Sequence, residues 1–255
     1  MSPMGHCFAM DWSDDGIVLG LRHFGESSAI LEALTREHGR HLGLLRGATS
    51  KRLKGALEPG NVLKLHWRAR IDQQLGSYTI ELVSARAAQF FSDGLKLGGL
   101  SAACAMVAAT LPEREAHTRV YEALDQMLST VTEKASPGWI EDYVQFEIML
   151  LEDLGFGLDL TECAVTGERE GLAFVSPKTG RAVTAAAAAP YKQRLLALPR
   201  FLTPDDGAAS VQDLVDGLAL TGFFLERVAL EQHGTPLPAA RGRLTERLAA
   251  QGPDR

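Results

Sequence analysis

The chain has 255 residues, 45% of them hydrophobic and 23% charged, with 26 Lys/Arg against 32 Asp/Glu and a formal net charge of -6. This is an ordinary globular composition, with enough apolar material for one large domain or two or three small ones. It excludes a disulfide framework, because Cys7, Cys104 and Cys163 are odd in number and far apart, as in a cytosolic protein with reduced thiols. It also excludes a helical membrane span, since no apolar run approaches the ~20 residues required.

The opening MSPMGHCFAM lacks the basic and apolar regions of a secretory signal. Residues 1–11 are therefore read as an extension, with Met10 as an alternative start. From Trp12 to Arg86 the pattern is that of strands. GIVLGL (Gly16 to Leu21), AILEALT (Ala29 to Thr35), HLGLLRG, NVLKLHWRARI and YTIELVS are short apolar runs separated by Gly, Ser, Asp and Asn. Five strands without helical periodicity between them predict a five-stranded Greek-key barrel of the oligonucleotide-binding (OB) type. The fourth run alternates strictly. Leu63, Leu65, Trp67, Ala69 and Ile71 share one face, and Lys64, His66, Arg68 and Arg70 share the other. An ordinary outer face mixes signs, so an acid-free basic stripe points to a polyanion-facing surface.

Charge is unevenly divided. Residues 12–86 hold 11 Lys/Arg and 8 Asp/Glu, and the rest hold 15 and 24. The positive charge is densest in TREHGRHLGLLRGATSKRLKG, Thr35 to Gly55, which has six Lys/Arg, two histidines and one acid. Its second half runs on as GATSKRLKGALEPGN, punctuated at Gly47, Gly55, Pro59 and Gly60, and predicts a long loop or short helix beside the basic stripe, the way a small barrel builds a nucleic-acid groove. The segment lacks the G-x-x-x-x-G-K-[ST] spacing of a nucleotide-binding loop. The candidate phosphate contacts are Arg36, Arg40, Arg46, Lys51, Arg52, Lys54, Lys64, Arg68 and Arg70. His38 and His41, which without a Cys or acid partner nearby do not read as a metal pair, supplement the charge when protonated. Trp67 is assigned to the core, and Phe24 and Tyr78, flanking turns, to base stacking.

After Ala88 the period becomes helical. Ala102 to Leu111 reads as a packed helix, and EREAHTRVYEALDQMLSTVTE as an amphipathic one started by Pro112. SPGWIEDYVQFEIMLLEDLG is expected to run from an N-cap at Ser136 to a C-cap at Gly155. LAFVSPKTGRAVT predicts two short strands. SVQDLVDGLALTGFFLERVALEQHG predicts a long helix with a Ser210/Asp213 capping box. TPLPAARG reads as a linker, with GRLTERLAA adding a last turn or two. Both DDG triplets, Asp14–Gly16 and Asp205–Gly207, read as turns. The fold class is α+β: an extension at 1–11, a DNA-binding barrel at 12–86, and a mainly helical domain at 87–255 interrupted by 156–184. No H-E-x-x-H, G-x-S-x-G, Walker or two-metal acidic pattern occurs, so an enzyme has no support.

Taken in order, DDGIVLGLRHFGESSAILEALTREHGRHLGLLRGATS, LEPGNVLKLHWRAR, LGSYTIE, WIEDYVQFEIMLLEDLGFGLDLTECAVTG and FVSPKTGRAV resemble the RecO family of bacterial recombination mediators. The resemblance implies an OB domain followed by a helical domain. It implies binding to single- and double-stranded DNA, annealing of complementary strands, and contact with RecR and with the C-terminal tail of single-strand-binding protein. It also implies assistance to RecA loading, no nucleotide cofactor, and a cytoplasmic, nucleoid-associated location. Some members hold zinc through two C-x-x-C pairs. Here Cys163 is followed by Thr166, and the second pair is replaced around Gly180 and Val183, so no zinc is expected and 156–184 is a degenerate zinc-finger-like insertion held by packing. The rival reading is a protein–protein adaptor whose basic patch meets an acidic partner tail, with DNA binding incidental.

Overall fold

The computed structural model describes residues 10–71, 73–203, 209–234 and 236–251, without the side chains at 52 and 229–233. Residues 1–9 of the expected extension and the expected turn at Asp205–Gly207 lie outside the described residues. By internal contacts the chain divides into two units, Met1–Ser92 with Leu111–Glu122, and Asp93–Thr110 with Ala123–Arg255.

The first unit is built on five strands and one short helix: β1 (Met10–Phe24), β2 (Ser28–Thr35), β3 (Gly39–Leu45), α1 (Lys51–Lys54), β4 (Val62–Ala69) and β5 (Ser77–Ser84). They form a mixed sheet. β1 runs antiparallel to both β2 and β4, β2 to β3, and β4 to β5, while β3 pairs with β5 in parallel. Every strand thus has a hydrogen-bonded neighbour on each side, which removes the edge liability of an open sheet. The length of β1 makes this possible. Its first half pairs with β4 and its second with β2, and a register shift between Val18 and Gly20 marks the change. Such an irregularity bends and twists the strand locally.

β1 begins earlier than the extension to residue 11 and the Asp14–Gly16 turn allowed. Trp12, Asp14, Gly16 and Val18 alternate inward, and the buried Asp14 carboxylate is satisfied there. It accepts from the N–H groups of Asp15 and Glu37, both at 2.8 Å, and lies 3.2 Å from His38 Nδ1. A DDG triplet is indistinguishable from a turn until those partners, twenty residues away, are in place.

The core of this sheet comes from its own residues, including Val18, Leu31, Ala33, Leu63, Leu65 and Trp67. Burying each large apolar side chain contributes roughly 1.5–3 kcal/mol. Two glycines are dictated by aromatic neighbours. A Cβ at Gly43 would lie 2.4 Å from the Tyr78 ring, and one at Gly76, where φ is +64°, would lie 2.3 Å from the Trp67 indole nitrogen.

The second unit carries most of the helices. α2 (Gly94–Thr110) is followed by α3 (Thr118–Glu133), which begins in the first unit, and α4 (Ile140–Asp153). Next come β6 (Leu172–Val175), β7 (Ala182–Thr184), the single turn α5 (Ala185–Ala188) and β8 (Leu196–Ala197). α6 (Val211–His233) and α7 (Ala239–Ala249) complete the chain. The capping box is present: Ser210 N–H donates to Asp213 and Asp213 N–H donates to Ser210 Oγ, at 3.0 and 3.1 Å. Gly155 ends α4 with φ +85°, as a C-terminal glycine should.

Four boundaries differ from the sequence reading. Pro112 does not start α3, which begins at Thr118 after Arg114 has taken φ +64°. Ser136 does not cap α4; its hydroxyl donates to Asp93 and accepts from Trp139 Nε1, and the helix starts at Ile140. The two-stranded hairpin gains a third strand, because β8 pairs with β6. Finally, α7 begins inside the expected linker. Arg241 is buried and donates to Glu147 at 2.5 and 2.8 Å, and Thr221 donates to the same carboxylate. Burial works against the charge on Arg241, but Glu147 beside it more than restores it. Breaking such a pair typically costs ~3–5 kcal/mol. Nothing in a local sequence window announces a partner ninety residues away.

Candidate nucleic-acid interface

β4 follows the alternation read from its sequence. Leu63, Leu65, Trp67 and Ala69 are buried, while His66, Arg68 and Arg70 are exposed and Lys64 is half-buried. Ile71 departs from it. The strand ends at Ala69, and Ile71 is 51% exposed rather than on the apolar face. The stripe is also less pure than one strand suggests. Register sets Asp15 and Glu81 on either side of Lys64, and Asp11 opposite Arg68. Lys64 Nζ lies 3.2 Å from Asp15 Oδ1. Arg68 is flanked on its other side by Ser77, and His66 by Ser13 and Thr79. The outer face is therefore neutralised at its Lys64 end; toward Arg68 and Arg70 it is more cationic, with Asp11 and Ser77 in register with Arg68 but no ion pair made to it by any described residue.

The basic groups in the first half of the stretch are matched by neighbouring side chains. Thr35 to Gly39 is a tight turn in which Thr35 Oγ1 donates to the Gly39 carbonyl and accepts from His38 N–H. Arg36 pairs with Glu122 and lies over the Tyr121 ring. Arg40 donates to the Leu111 carbonyl at 2.7 Å and to Glu32 at 2.5 Å, with Glu113 at 3.7 Å. Its side chain is only 16% exposed. His38 stacks on Trp12, with ring centroids 4.1 Å apart and planes 9° apart. His41 is buried against Trp12, Trp67 and Tyr78, with Nδ1 2.9 Å from the Tyr78 hydroxyl.

Two expectations are corrected by this cluster. His41 adds nothing to the positive surface, because aromatic rings enclose it. Tyr78 cannot stack on a base, because it is buried, and burial holds its phenol well above the usual range. Phe24, by contrast, is 57% exposed. The half-buried Trp12 was missed altogether. Its signal was the inward alternation of Trp12, Asp14 and Gly16, hidden because DWSDD looks too polar for a strand. Arg22, two residues before Phe24 on β1, is a further exposed cation outside the expected set.

The second half of the stretch points outward. Arg46, Lys51 and Lys54 are exposed and make no ion pair with any described residue, and the same holds for Arg68 and Arg70. The Arg52 side chain lies outside the described residues. The local reason is the connection between β3 and β4. Gly47 turns the chain with φ +68°, and the segment packs on the core through Ala48, Leu53, Ala56 and Leu57, so its cations are left on the solvent side.

In the second unit, the β6–β7 hairpin does not offer the donors of a structural zinc site. Cys163 Sγ accepts from Thr184 N–H at 3.4 Å and lies 3.7 Å from its hydroxyl. Residues 156–184 contain a single cysteine, Cys163, fewer thiolates than the four ligands of a tetrahedral structural site. Burial opposes ionisation of Cys163, yet donors from Thr166, Thr184 and Val165 outweigh it and bring the thiol down to about 6. Among the described residues no three His, Cys, Asp or Glu side chains gather as metal ligands, and no helix is long and apolar enough to cross a membrane.

Comparison with known proteins agrees with this arrangement. The family described as "Recombination protein O N terminal" matches residues 10–86, and "Recombination protein O C terminal" matches residues 91–235. A DNA repair protein RecO from Cereibacter sphaeroides is 48% identical over 241 residues, covering 94% of this chain and 99% of that protein. A RecO from Bradyrhizobium sp. is 50% identical over 227 residues, covering 88% and 90%. One from Rhodospirillum centenum is 47% identical over 240 residues, covering 93% and 94%. With both halves matched and near-half identity along almost its whole length, the chain belongs to the RecO family of non-catalytic DNA repair and recombination mediators.

Proposed function

We propose that residues 12–86 are an OB-type barrel that binds single- and double-stranded DNA, and that the protein anneals complementary strands. One observation carries this reading: in a chain of net charge -6, five described cations on β4, α1 and the loops beside them are exposed and unpaired. Unpaired cations that displace condensed counterions give affinity without sequence reading. Screening two backbones at once lets complementary bases meet. The sheet in which every strand has two neighbours, and the core drawn from its own residues, support the barrel. Residues 87–255 are then the helical domain, with 156–184 as its insertion. Family membership supports partnership with RecR and with the acidic tail of single-strand-binding protein, assistance to RecA loading, and a cytoplasmic, nucleoid-associated site of action.

The phosphate contacts in this reading are Arg46, Lys51, Arg52, Lys54, Arg68 and Arg70. Arg36, Arg40 and Lys64 contribute less, because acids already hold them. The test is salt-dependent binding of naked oligonucleotides, which also separates a DNA binder from an adaptor. Arg68→Ala with Arg70→Ala should lower the slope of log affinity against log salt by ~1.4 for single strands, equally for unrelated sequences. Annealing should fall with it, and the protein should stay folded. Trp67→Ala should instead cost roughly 3–5 kcal/mol of stability through its core cavity. A folded Arg68/Arg70 double variant with unchanged affinity and slope would overturn the proposal.

A further inference from the structure

The segment Leu111–Glu122 belongs to the first unit, although it follows α2 in the chain and lies outside residues 12–86. Within it stands Arg114, with φ +64° the only non-glycine residue of positive φ among the described residues. An L side chain rarely adopts that conformation, and it persists where the surrounding contacts over-determine it. Here they do. The Arg114 N–H donates to the Arg40 carbonyl at 2.8 Å, Nη2 donates to the Gln74 carbonyl at 2.6 Å, and the guanidinium lies over the Trp67 ring, 5.8 Å from its centroid. The last two contacts fall on the loop between β4 and β5 and on the indole that seats it. Trp67 Nε1 donates to the Leu75 carbonyl at 3.0 Å, and Gly76 lies against the same ring. Gln74 N–H in turn donates to the Ile71 carbonyl at 3.2 Å, and Ile71 follows Arg70.

We propose that Arg114, a residue outside the five strands, is a positioning residue for DNA: by fastening the Ile71–Gln74 turn to Trp67 it fixes where Arg70 meets a phosphate. The inference rests on the DNA-binding reading above. Arg70 sits one residue beyond the end of β4, so the strand ladder does not hold its backbone from the loop side. A cation on a free loop must be ordered each time it binds, whereas one on a fastened loop is ordered beforehand. The Arg114 guanidinium is not itself the phosphate contact. Its planar fork is engaged by a carbonyl at one edge and an indole on one face, the kind of stacked site that arginine fills best.

The experiment measures binding of a labelled oligothymidine strand by fluorescence anisotropy at several salt concentrations, on the full chain and on its Arg70→Ala, Arg114→Gly and double variants. Glycine suits the positive φ at 114, so the fold should survive. Arg114→Asn, which also accepts that φ, should bind like Arg114→Gly and separates loss of the guanidinium from added backbone freedom. Each single change should lower the slope of log affinity against log salt by ~0.7, and the double variant by the same ~0.7 rather than ~1.4, because Arg70 makes no contact once its loop is released. Without DNA, trypsin should cut after Arg70 about tenfold faster in Arg114→Gly, relative to cutting after Lys54, as the loop opens locally. Additive slopes would make Arg114 a phosphate contact of its own and overturn the inference. So would an unchanged slope in Arg114→Gly or in Arg70→Ala, or an unchanged relative cleavage rate. In each of these cases the DNA-binding reading stands on the affinity of the wild-type protein and its salt dependence. Wild-type protein that binds no oligonucleotide removes both readings.

Discussion

The two halves of the basic stretch, Thr35–His41 and Arg46–Lys54, have similar composition and opposite fates. In the first, Arg36 and Arg40 are held by Glu122, Glu32 and Glu113, and His38 and His41 by aromatic rings and Asp14. In the second, Arg46, Lys51 and Lys54 face solvent without an acid partner. The difference lies in what surrounds each half. A tight turn between paired strands presents its side chains to neighbouring elements, so its charges must be matched. The connection around the one-turn helix packs through Ala48, Leu53, Ala56 and Leu57, which leaves its cations on the side away from the core, without an acid paired to them among the described residues. Positive charge in a sequence therefore marks a binding surface only where the fold leaves it unmatched.

The sharpest way to break this comparison is Arg40→Ala. Its half-buried guanidinium satisfies a carbonyl and Glu32, so its loss should destabilise the first unit by about 2–3 kcal/mol. The salt slope of DNA binding should not change. A stability effect within ~0.5 kcal/mol, as for an ordinary surface site, together with a lower slope, would reverse the roles assigned to the two halves. Chemical denaturation and binding titrations at several salt concentrations read both quantities.

The converse variant is Arg46→Ala with Lys51→Ala and Lys54→Ala. Stability should stay within about 0.5 kcal/mol for each exposed site. The slope should fall by ~2 for single strands, three contacts at ~0.7 each. A triple variant that binds DNA with the wild-type slope would show that unpaired charge on this connection is only a solvated face.

Much of this was legible from local pattern. Alternation identified β4 and its buried Leu63, Leu65 and Trp67, and three-residue spacing identified the Ser210/Asp213 box, because both depend on chain geometry within one element. What was not legible depends on register and distance. The start of β1 was hidden by Asp11, Asp14 and Asp15, which meet Arg68 in register on β4, the Glu37 N–H in the β2–β3 turn, and Lys64 on β4. Tyr78 looked like a turn residue, but the parallel pairing of β3 with β5 brings Gly43 beneath its ring. The candidate site divided in the same way. Which cations exist is local information; which of them are already neutralised is not.

The smallest expected effect tests that last point within one strand. Lys64, Arg68 and Arg70 lie on the same face, yet only Lys64 is bracketed by two acids. A cation already paired with Asp15 has displaced little condensed counterion from a bound strand, because it must first leave its partner. An exposed pair of this kind is worth only ~0–1 kcal/mol, so Lys64→Ala should leave stability nearly unchanged. It should also lower the single-strand slope by clearly less than the ~0.7 of a full phosphate contact, the value expected for Arg68→Ala. Asp15→Asn gives the complementary reading: freeing Lys64 should steepen the slope toward that full contact, and Lys64→Ala in that background should then remove it. If Lys64→Ala and Arg68→Ala lower the slope equally in the wild-type background, the acids contributed by β1 and β5 do not quench the stripe, and matched charge is no guide to which cations meet DNA.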